Sequence, residues 1–389
     1  MRKMIEGSRA VAEAVGLCRP GVISAYPITP QTHIVEELSQ LVADGDIDAE
    51  YVLVESEHSA ASVCLGAVAA GSRAYSATTS QGMMLMAEVL YNIAGMRMPM
   101  VITGVNRALS APLSIWNDQQ DTMAIRDSGW IQLYAEDNQE ALDMHIQAYK
   151  ISENDRVLLP VMVCMDGFVL THTYETVDMP TQEQVDAFLP AYDPLYKLDP
   201  QDPYTLGAFA GPEMYQEMRY QLQQEALGAK EVVKEVARDF QAAFGRWYGD
   251  LLETYRCDDA ETVFVAMGSV IGTLKDWADM RREQGDKIGV LKLRCFRPFP
   301  LDEIRTALAQ ARRVVVLEKA VSVGAYGILA AEIRAALYGQ AKTPPVHCAV
   351  VGLGGRDITF ETLDEVRQRA EAGEADFFAG LRRELLEAM

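Results

Sequence analysis

The run Val157-Leu-Leu-Pro-Val-Met-Val-Cys-Met165 is almost unbroken in apolar side chains and stops at Asp166. A strand wetted on one face alternates apolar with polar residues; a strand covered on both faces does not. Val157–Asp166 is therefore expected in the middle of a parallel sheet with helices on each side. Toward the N-terminus the same kind of segment recurs at Gly21–Tyr26, Tyr51–Val54, Arg73–Thr79, Pro99–Asn106 and Trp130–Ala135. Helical patterns fill the intervals at Gln31–Ala43, His58–Ala70, Gly82–Gly95 and Asn138–Ser152. Strand-then-helix order, repeated, is the signature of an α/β sheet with both faces covered.

Toward the C-terminus the pattern breaks at Gly167. Prolines 180, 190, 194, 200, 203 and 212 interrupt a stretch without period, and a long polar helix follows, Gly211 to Phe244. This reads as an excursion and connector, able to cross a domain or subunit boundary, rather than as a third core. A second α/β unit begins at Glu261, with strands at Thr262–Gly268, Lys287–Arg294, Arg313–Glu318 and Pro345–Val351. Its helices are expected at Gly272–Gln284, Leu301–Ala311, Ala325–Leu337 and Phe360–Ala372. Two domains result, 1–240 with the connector and a smaller 241–389.

Among 389 residues, 35 Lys and Arg face 56 Asp and Glu, a formal charge of −21. Such a surface disfavours nucleic acid, whose phosphates need a basic stripe, and disfavours a polybasic membrane contact. No apolar run approaches the roughly 20 residues of a bilayer span, and Arg2 and Lys3 precede no apolar signal core. A cytoplasmic chain is expected. The six cysteines include no CxxC, and the five histidines no HxxxH. Iron–sulfur and zinc sites announce themselves by close ligand spacing, so no metal site is expected in this chain.

Chemistry concentrates at strand ends, where open α/β sheets bind ligands. Tyr26-Pro-Ile-Thr-Pro30 is a corner stiffened by two prolines. Thr29 either offers a hydroxyl to a ligand or caps the next helix with Pro30 behind it. In Glu55-Ser-Glu57-His-Ser-Ala-Ala61, Glu57 opens a helix of small residues. It serves either the helix dipole or, if that helix packs closely against another backbone, as a desolvated carboxylate. Thr78-Thr-Ser-Gln-Gly82 places hydroxyls, an amide and a glycine at a third strand end. Asn106-Arg-Ala-Leu-Ser-Ala-Pro112 runs on through Ser114-Ile-Trp-Asn-Asp118 to Asp121. Arg107 there is either a fork for a carboxylate or a partner of Asp118 or Asp121. No GxSxG, phosphate-binding P-loop or HExxH occurs, and Gly352-Leu-Gly354-Gly355 lacks the rest of a dinucleotide fingerprint. The Gly-Asp-Gly and downstream Asn that hold magnesium diphosphate in thiamine enzymes are also missing.

In this order the four strand-end peptides resemble the α subunit of 2-oxoacid:ferredoxin oxidoreductases, most closely the pyruvate branch. Arg294-Cys-Phe-Arg-Pro-Phe-Pro300 and Leu317-Glu-Lys319 resemble that family's second domain, so the likeness runs the length of the chain. The resemblance implies that residues 1–240 are a thiamine-diphosphate-binding domain on the pyrimidine side, and that 241–389 are a transketolase C-terminal-like domain. It further implies a β subunit holding Mg²⁺ and the diphosphate, γ and δ subunits, and [4Fe-4S] clusters in those partner chains. Neither is ligated here, which accords with the missing motifs. Glu57 would share a proton with the aminopyrimidine ring, beside cofactor contacts from Pro27, Ile28, Thr29, Ser80 and Gln81. Arg107 and Thr29 would grip the 2-oxoacid, coenzyme A would take the acyl group, and ferredoxin or flavodoxin the electrons.

Within the family, Asn106-Arg-Ala-Leu-Ser-Ala-Pro112 and Thr29 resemble the pyruvate enzymes. Relatives acting on 2-oxoglutarate typically carry a Gly-rich peptide after the Arg, and oxalate-specific ones an Arg in place of the Thr. A branched-chain 2-oxoacid, a non-redox thiamine lyase or transferase half, and a scaffold that merely completes a partner's site are the competing expectations.

Overall fold

The structure, a computed structural model, describes residues 1–203 and 205–387. Its strands are β1 (Arg2–Glu6), β2 (Val22–Ala25), β3 (Glu50–Leu53), β4 (Ala74–Thr78), β5 (Val101–Asn106), β6 (Ile131–Tyr134), β7 (Val161–Asp166) and β8 (Tyr174–Asp178). They continue as β9 (Leu252–Tyr255), β10 (Thr262–Ala266), β11 (Ile288–Leu293), β12 (Cys295–Arg297), β13 (Arg313–Glu318), β14 (Val346–Val350) and β15 (Asp376–Phe378). The larger sheet has the order β12-β6-β7-β5-β4-β2-β3. All its pairings are parallel except that of β12 with β6. Strand β7 is buried at every position, as its apolar run requires.

Each parallel crossover is a helix: α1 (Gly7–Leu17) leads into β2, and α2 (Thr32–Ala43), α3 (Glu57–Ala69), α4 (Ser80–Gly95), α5 (Gln120–Ala124) and α6 (Asn138–Ser152) follow in turn. The chain winds one way from β2 to β3 and the other way from β4 to β5. The strand order therefore reverses between β2 and β4, and the crevice beyond their carboxyl ends is the natural ligand site.

Two features have no counterpart in the sequence expectation. Strands β1 and β8 form a separate antiparallel ribbon, Arg2 opposite Asp178 and Glu6 opposite Tyr174. Helix α1 then packs its buried Ala10, Val11, Ala14 and Val15 into the main core. After α7 (Gln182–Phe188) comes α8 (Tyr215–Phe244), which is a connector only in its first half. Ala229, Val232, Val233, Val236 and Phe240 are buried, a stripe at helical spacing that joins the first core. The paired charges Lys230-Glu231 and Lys234-Glu235 lie between these positions and hide the stripe in a linear reading.

The smaller sheet has six strands rather than four, β15-β14-β13-β10-β11-β9, with β9 antiparallel at one edge. Short β9 and β15 carry too few residues to show a period. The helices of this part are α9 (Val270–Glu283), α10 (Leu301–Leu308), α11 (Ile328–Leu337), α12 (Phe360–Glu371) and the single turn α13 (Arg383–Leu386). One apolar core cluster runs from α3 and α4 through Trp130 to β10, β11 and β13, so the two sheets share packed interior. Strand β12 leaves the smaller unit to edge the larger sheet, Cys295 opposite Leu133.

Candidate active site

The four expected peptides do meet at the carboxyl ends of β2 to β5. Ser56 caps α3, its hydroxyl accepting from the Ser59 N–H at 3.2 Å, which puts Glu57 in the first turn. Glu57 is 6 % exposed. Among the described residues its carboxylate has neither a hydrogen-bond nor an ion-pair partner. It lies against Gly82 of α4: a Cβ at Gly82 would stand 2.6 Å from Glu57 Oε1 and 2.4 Å from Thr78 Oγ1. Helices α3 and α4 approach this closely because the facing residues are small. The hydroxyls of Thr78 and Thr79 beside them are buried and unpartnered.

Thr29 is not a helix cap. Helix α2 begins three residues later, and Gln31 holds the corner instead. Its Oε1 accepts from the Ile28 N–H at 3.1 Å, and its Nε2 donates to the Ala77 carbonyl at 2.7 Å, tying the corner to β4. Pro27 and Thr29 are exposed and Ile28 half-buried. The corner stacks close to β7, where a Cβ on Gly167 would be 2.6 Å from Pro30.

Arg107 reaches this corner. Its Nη1 donates to the Thr29 carbonyl at 2.8 Å and its Nε to the Ser114 carbonyl at 2.9 Å, so neither Asp118 nor Asp121 pairs with the guanidinium. Nη2 is uncommitted among the described residues. Burial lowers the Arg107 pKa, with the nearby Asp121 opposing. Ser80 points inward: its hydroxyl donates to the Ala108 carbonyl at 2.6 Å and lies 2.6 Å from Gln81 Oε1. Ser80 Oγ is thus held by partners within the chain as a donor, while Gln81 stays half-buried at the surface of the crevice.

Asp121, weighed from the sequence only as an Arg107 partner, is the hub of the site. One of its oxygens accepts from the backbone N–H of Ser80 at 2.9 Å and of Arg107 at 3.0 Å. The other accepts from Asn106 Nδ2 at 2.9 Å and the Thr122 N–H at 2.8 Å. Burial pushes this carboxyl up to about 7 in spite of those donors. Asp166, at the end of β7, is the second omission. Lys319 Nζ lies 2.9 Å from its Oδ2, and Ser269 and Asn117 also donate to it. Burial opposes the charge, but Lys319 and these donors hold the Asp166 pKa below its ordinary value. A polar residue closing an otherwise apolar strand was the available signal for Asp166. For Asp121, in the first turn of the short helix α5, there was none.

Away from the crevice, Glu6, His33 and His172 have potential ligating atoms within 4.8 Å of one another, although no metal-ligand spacing connects them in the sequence. His33 Nδ1 and Glu6 Oε1 form a 2.6 Å hydrogen bond, and the two imidazoles stack at 4.4 Å.

Residues 13–238 match the family profile described as pyruvate flavodoxin/ferredoxin oxidoreductase, thiamine diphosphate-binding. Residues 260–363 match the one described as pyruvate:ferredoxin oxidoreductase core domain II. The chain belongs to the pyruvate:ferredoxin oxidoreductase family. It is 50 % identical over 383 residues to the pyruvate synthase subunit PorA of Methanothermobacter thermautotrophicus, covering 98 % of this chain and 99 % of that one. It is 48 % identical over 394 residues to PorA of Pyrococcus abyssi, covering 99 % and 100 %. The ketoisovalerate oxidoreductase subunit VorA of the same organism is 44 % identical over 381 residues, covering 97 % and 96 %.

Among solved structures, the 2-oxoglutarate:ferredoxin oxidoreductase of Magnetococcus marinus superposes with a TM-score of 0.71 at 20 % identity. The match covers 95 % of this chain but only 65 % of that one, and it speaks for the fold. Membership brings a thiamine-diphosphate-binding domain, and the crevice suits the pyrimidine end of that cofactor. An unpartnered carboxylate and two orphaned buried hydroxyls, packed where Gly82 lets α3 and α4 approach, make up an acceptor-and-hydroxyl set that fits an aminopyrimidine ring. No helix of the described residues is long and apolar enough to cross a membrane.

Proposed function

We infer that this chain is the catalytic α subunit of a cytoplasmic complex that oxidatively decarboxylates pyruvate with coenzyme A and delivers the electrons to ferredoxin or flavodoxin. In this reading 1–240 carries the pyrimidine side of thiamine diphosphate with its connector, and 241–389 is the transketolase C-terminal-like domain. The β subunit holds Mg²⁺ and the diphosphate, and the [4Fe-4S] clusters belong to β, γ or δ partners. The single observation that carries the assignment is the buried, partnerless Glu57 carboxylate packed against Gly82 where α3 meets α4.

Bound thiamine supplies a carbanion-stabilising carbon that takes up the electrons left by decarboxylation. Glu57, buried at the start of α3, would share a proton with the pyrimidine ring of the bound cofactor. Thr78 and Thr79 bring buried hydroxyls without a hydrogen-bond partner to the same strand end. Arg107 keeps Nη2 for the oxoacid carboxylate while Nε and Nη1 fix its plane, and Thr29 stands beside it. Pro27 and Ile28 make the rigid wall of this corner. Ser80 and Gln81 shape the turn into α4, Ser80 through its own backbone partners. Large apolar side chains are exposed along this rim, Leu53 at 81 %, Leu113 at 75 % and Trp116 at 52 %, which supports a partner subunit closing the crevice. The names of the half-identical relatives and Thr29 favour pyruvate over a branched-chain, 2-oxoglutarate or oxalate substrate.

In the assembled complex, Glu57→Gln should lower coenzyme-A-dependent pyruvate oxidation by about 10²–10⁴-fold, with subunit composition and iron–sulfur absorbance unchanged. Turnover near that of the unmodified complex would refute the assignment. Faster oxidation of 3-methyl-2-oxobutanoate than of pyruvate by the unmodified complex would move the substrate to the branched-chain class.

A further inference from the structure

The loop that carries Arg107 is gripped by the smaller domain. Gln119 N–H donates to the Lys319 carbonyl at 2.7 Å, and Gln119 Nε2 to the Met267 carbonyl at 3.1 Å. Gly354 N–H donates to Asp118 Oδ2 at 3.1 Å, and Val321 N–H to Gln120 Oε1 at 2.9 Å. One charged side chain crosses inside this ring of contacts. Lys319, 6 % exposed, places its ammonium on Asn117 Oδ1 and on Asp166 Oδ2. The amide nitrogen of Asn117 in turn donates to the Asn106 carbonyl at 3.3 Å and to Asp166 Oδ1 at 3.0 Å. Asn106 donates to Asp121, and Asp121 accepts from the backbone of Arg107. A continuous polar path thus runs from the second domain to the residue assigned to the oxoacid carboxylate.

We infer that Lys319 is a positioning residue for oxoacid binding, acting through Asn117 to hold the 106–121 loop in register with the Thr29 corner. The inference rests on the assignment of Arg107 above. The ammonium, with three N–H donors, places one on Asp166 and another on the Asn117 amide oxygen, so it joins the loop to the end of β7. Lys319 also orients the Asn117 amide, whose free rotation would release the Asn106 carbonyl and with it the start of the loop. The second domain is on this view part of the oxoacid site, acting through the 106–121 loop.

The test uses the assembled complex with Lys319→Met, Lys319→Arg and the double variant Lys319→Met/Asp166→Asn. The single Met variant leaves Asp166 buried without its cation, so its unfolding midpoint falls. The double variant removes both charges and recovers the midpoint. In both, KM for the oxoacid should rise about tenfold with kcat changed far less, the pattern of a misplaced binding group. Amide hydrogen exchange over 117–121 should accelerate in both, and Lys319→Arg should restore part of each effect. A double variant with recovered midpoint, unmodified KM and unmodified exchange would overturn the inference, since the pair would then be structural alone. Arg107→Ala is the control for the underlying assignment: if it leaves KM unmoved, that assignment fails, and the exchange rates alone decide whether Lys319 holds the loop.

Discussion

Asp121 asks two oxygens to accept four N–H groups, and no other side chain of its size can do so. An Asn at this position keeps one oxygen but turns an NH₂ toward either Ser80 and Arg107 or Asn106 and Thr122. Leaving buried donors unpaired costs about 1–3 kcal/mol, so Asp121→Asn should lower stability by that order and loosen the Arg107 loop. Its pH dependence has a definite sign. Burial raises the carboxyl from 3.8 to about 7 in the fold, so its contribution is complete below about pH 4 and is lost as pH rises through about 7. Asp137 and Glu318 are also raised, to about 6 and about 7, and share the window, so the difference between unmodified chain and variant isolates Asp121. Urea midpoints from pH 4 to 8 should fall less steeply in the variant. Parallel profiles would show that this carboxyl does not titrate there.

Elements were legible where local chemistry repeats and illegible where tertiary packing decides. β13 spans Arg313–Glu318 and α6 spans Asn138–Ser152 as expected: a short apolar run bounded by charged residues marks the strand, and Asp137 caps the helix. Strand β7 starts at Val161 rather than Val157, since Leu158 takes a positive φ of 46° and Pro160 has no N–H for the ladder. The peptides around Thr29, Glu57, Ser80 and Arg107 were readable as a site because turns at strand ends carry their chemistry in consecutive residues. Asp121 and Asp166 act across gaps of 41 and 153 positions, to Ser80 and Lys319, and no local pattern records that. Helix α8 shows the same limit. Its second half closes the first core through Phe240, 1 % exposed, which stacks on Phe244 at 4.4 Å and meets Phe188 edge-on at 5.4 Å. Phe240→Ala should cost about 3–5 kcal/mol, and limited proteolysis should then cut within α8 before either sheet. Cleavage confined to the unit after residue 260 would contradict that order.

At the scale of the whole molecule, the two sheets are joined by buried charge as well as by apolar surface. Lys292 of β11, 2 % exposed, meets Glu140 of α6 at 2.7 Å and Glu136 at 3.0 Å, while Arg294 adds a 3.2 Å contact to Glu140 and a 2.9 Å hydrogen bond to Gln147. Burial opposes the Lys292 charge, yet Glu140 and Glu136 outweigh it and raise its pKa above the ordinary 10.5. A raised base stabilises fully below its unfolded value and stops doing so as pH climbs through the folded one, so the lysine's own contribution is lost in alkali, above about 10.5. Removing one partner leaves the other charge stranded: Lys292→Met should cost about 3–5 kcal/mol, whereas Lys292→Met with Glu140→Leu should recover much of it. Arg294 limits that recovery, because its guanidinium would lose the same carboxylate. Because the apolar cluster of α3, α4, β10 and β13 spans both sheets, the loss should appear as one cooperative transition at lower denaturant rather than as two. Two separated transitions in the single variant, monitored by Trp130 and Trp277 fluorescence, would mean that charge and not the shared core makes the domains unfold together.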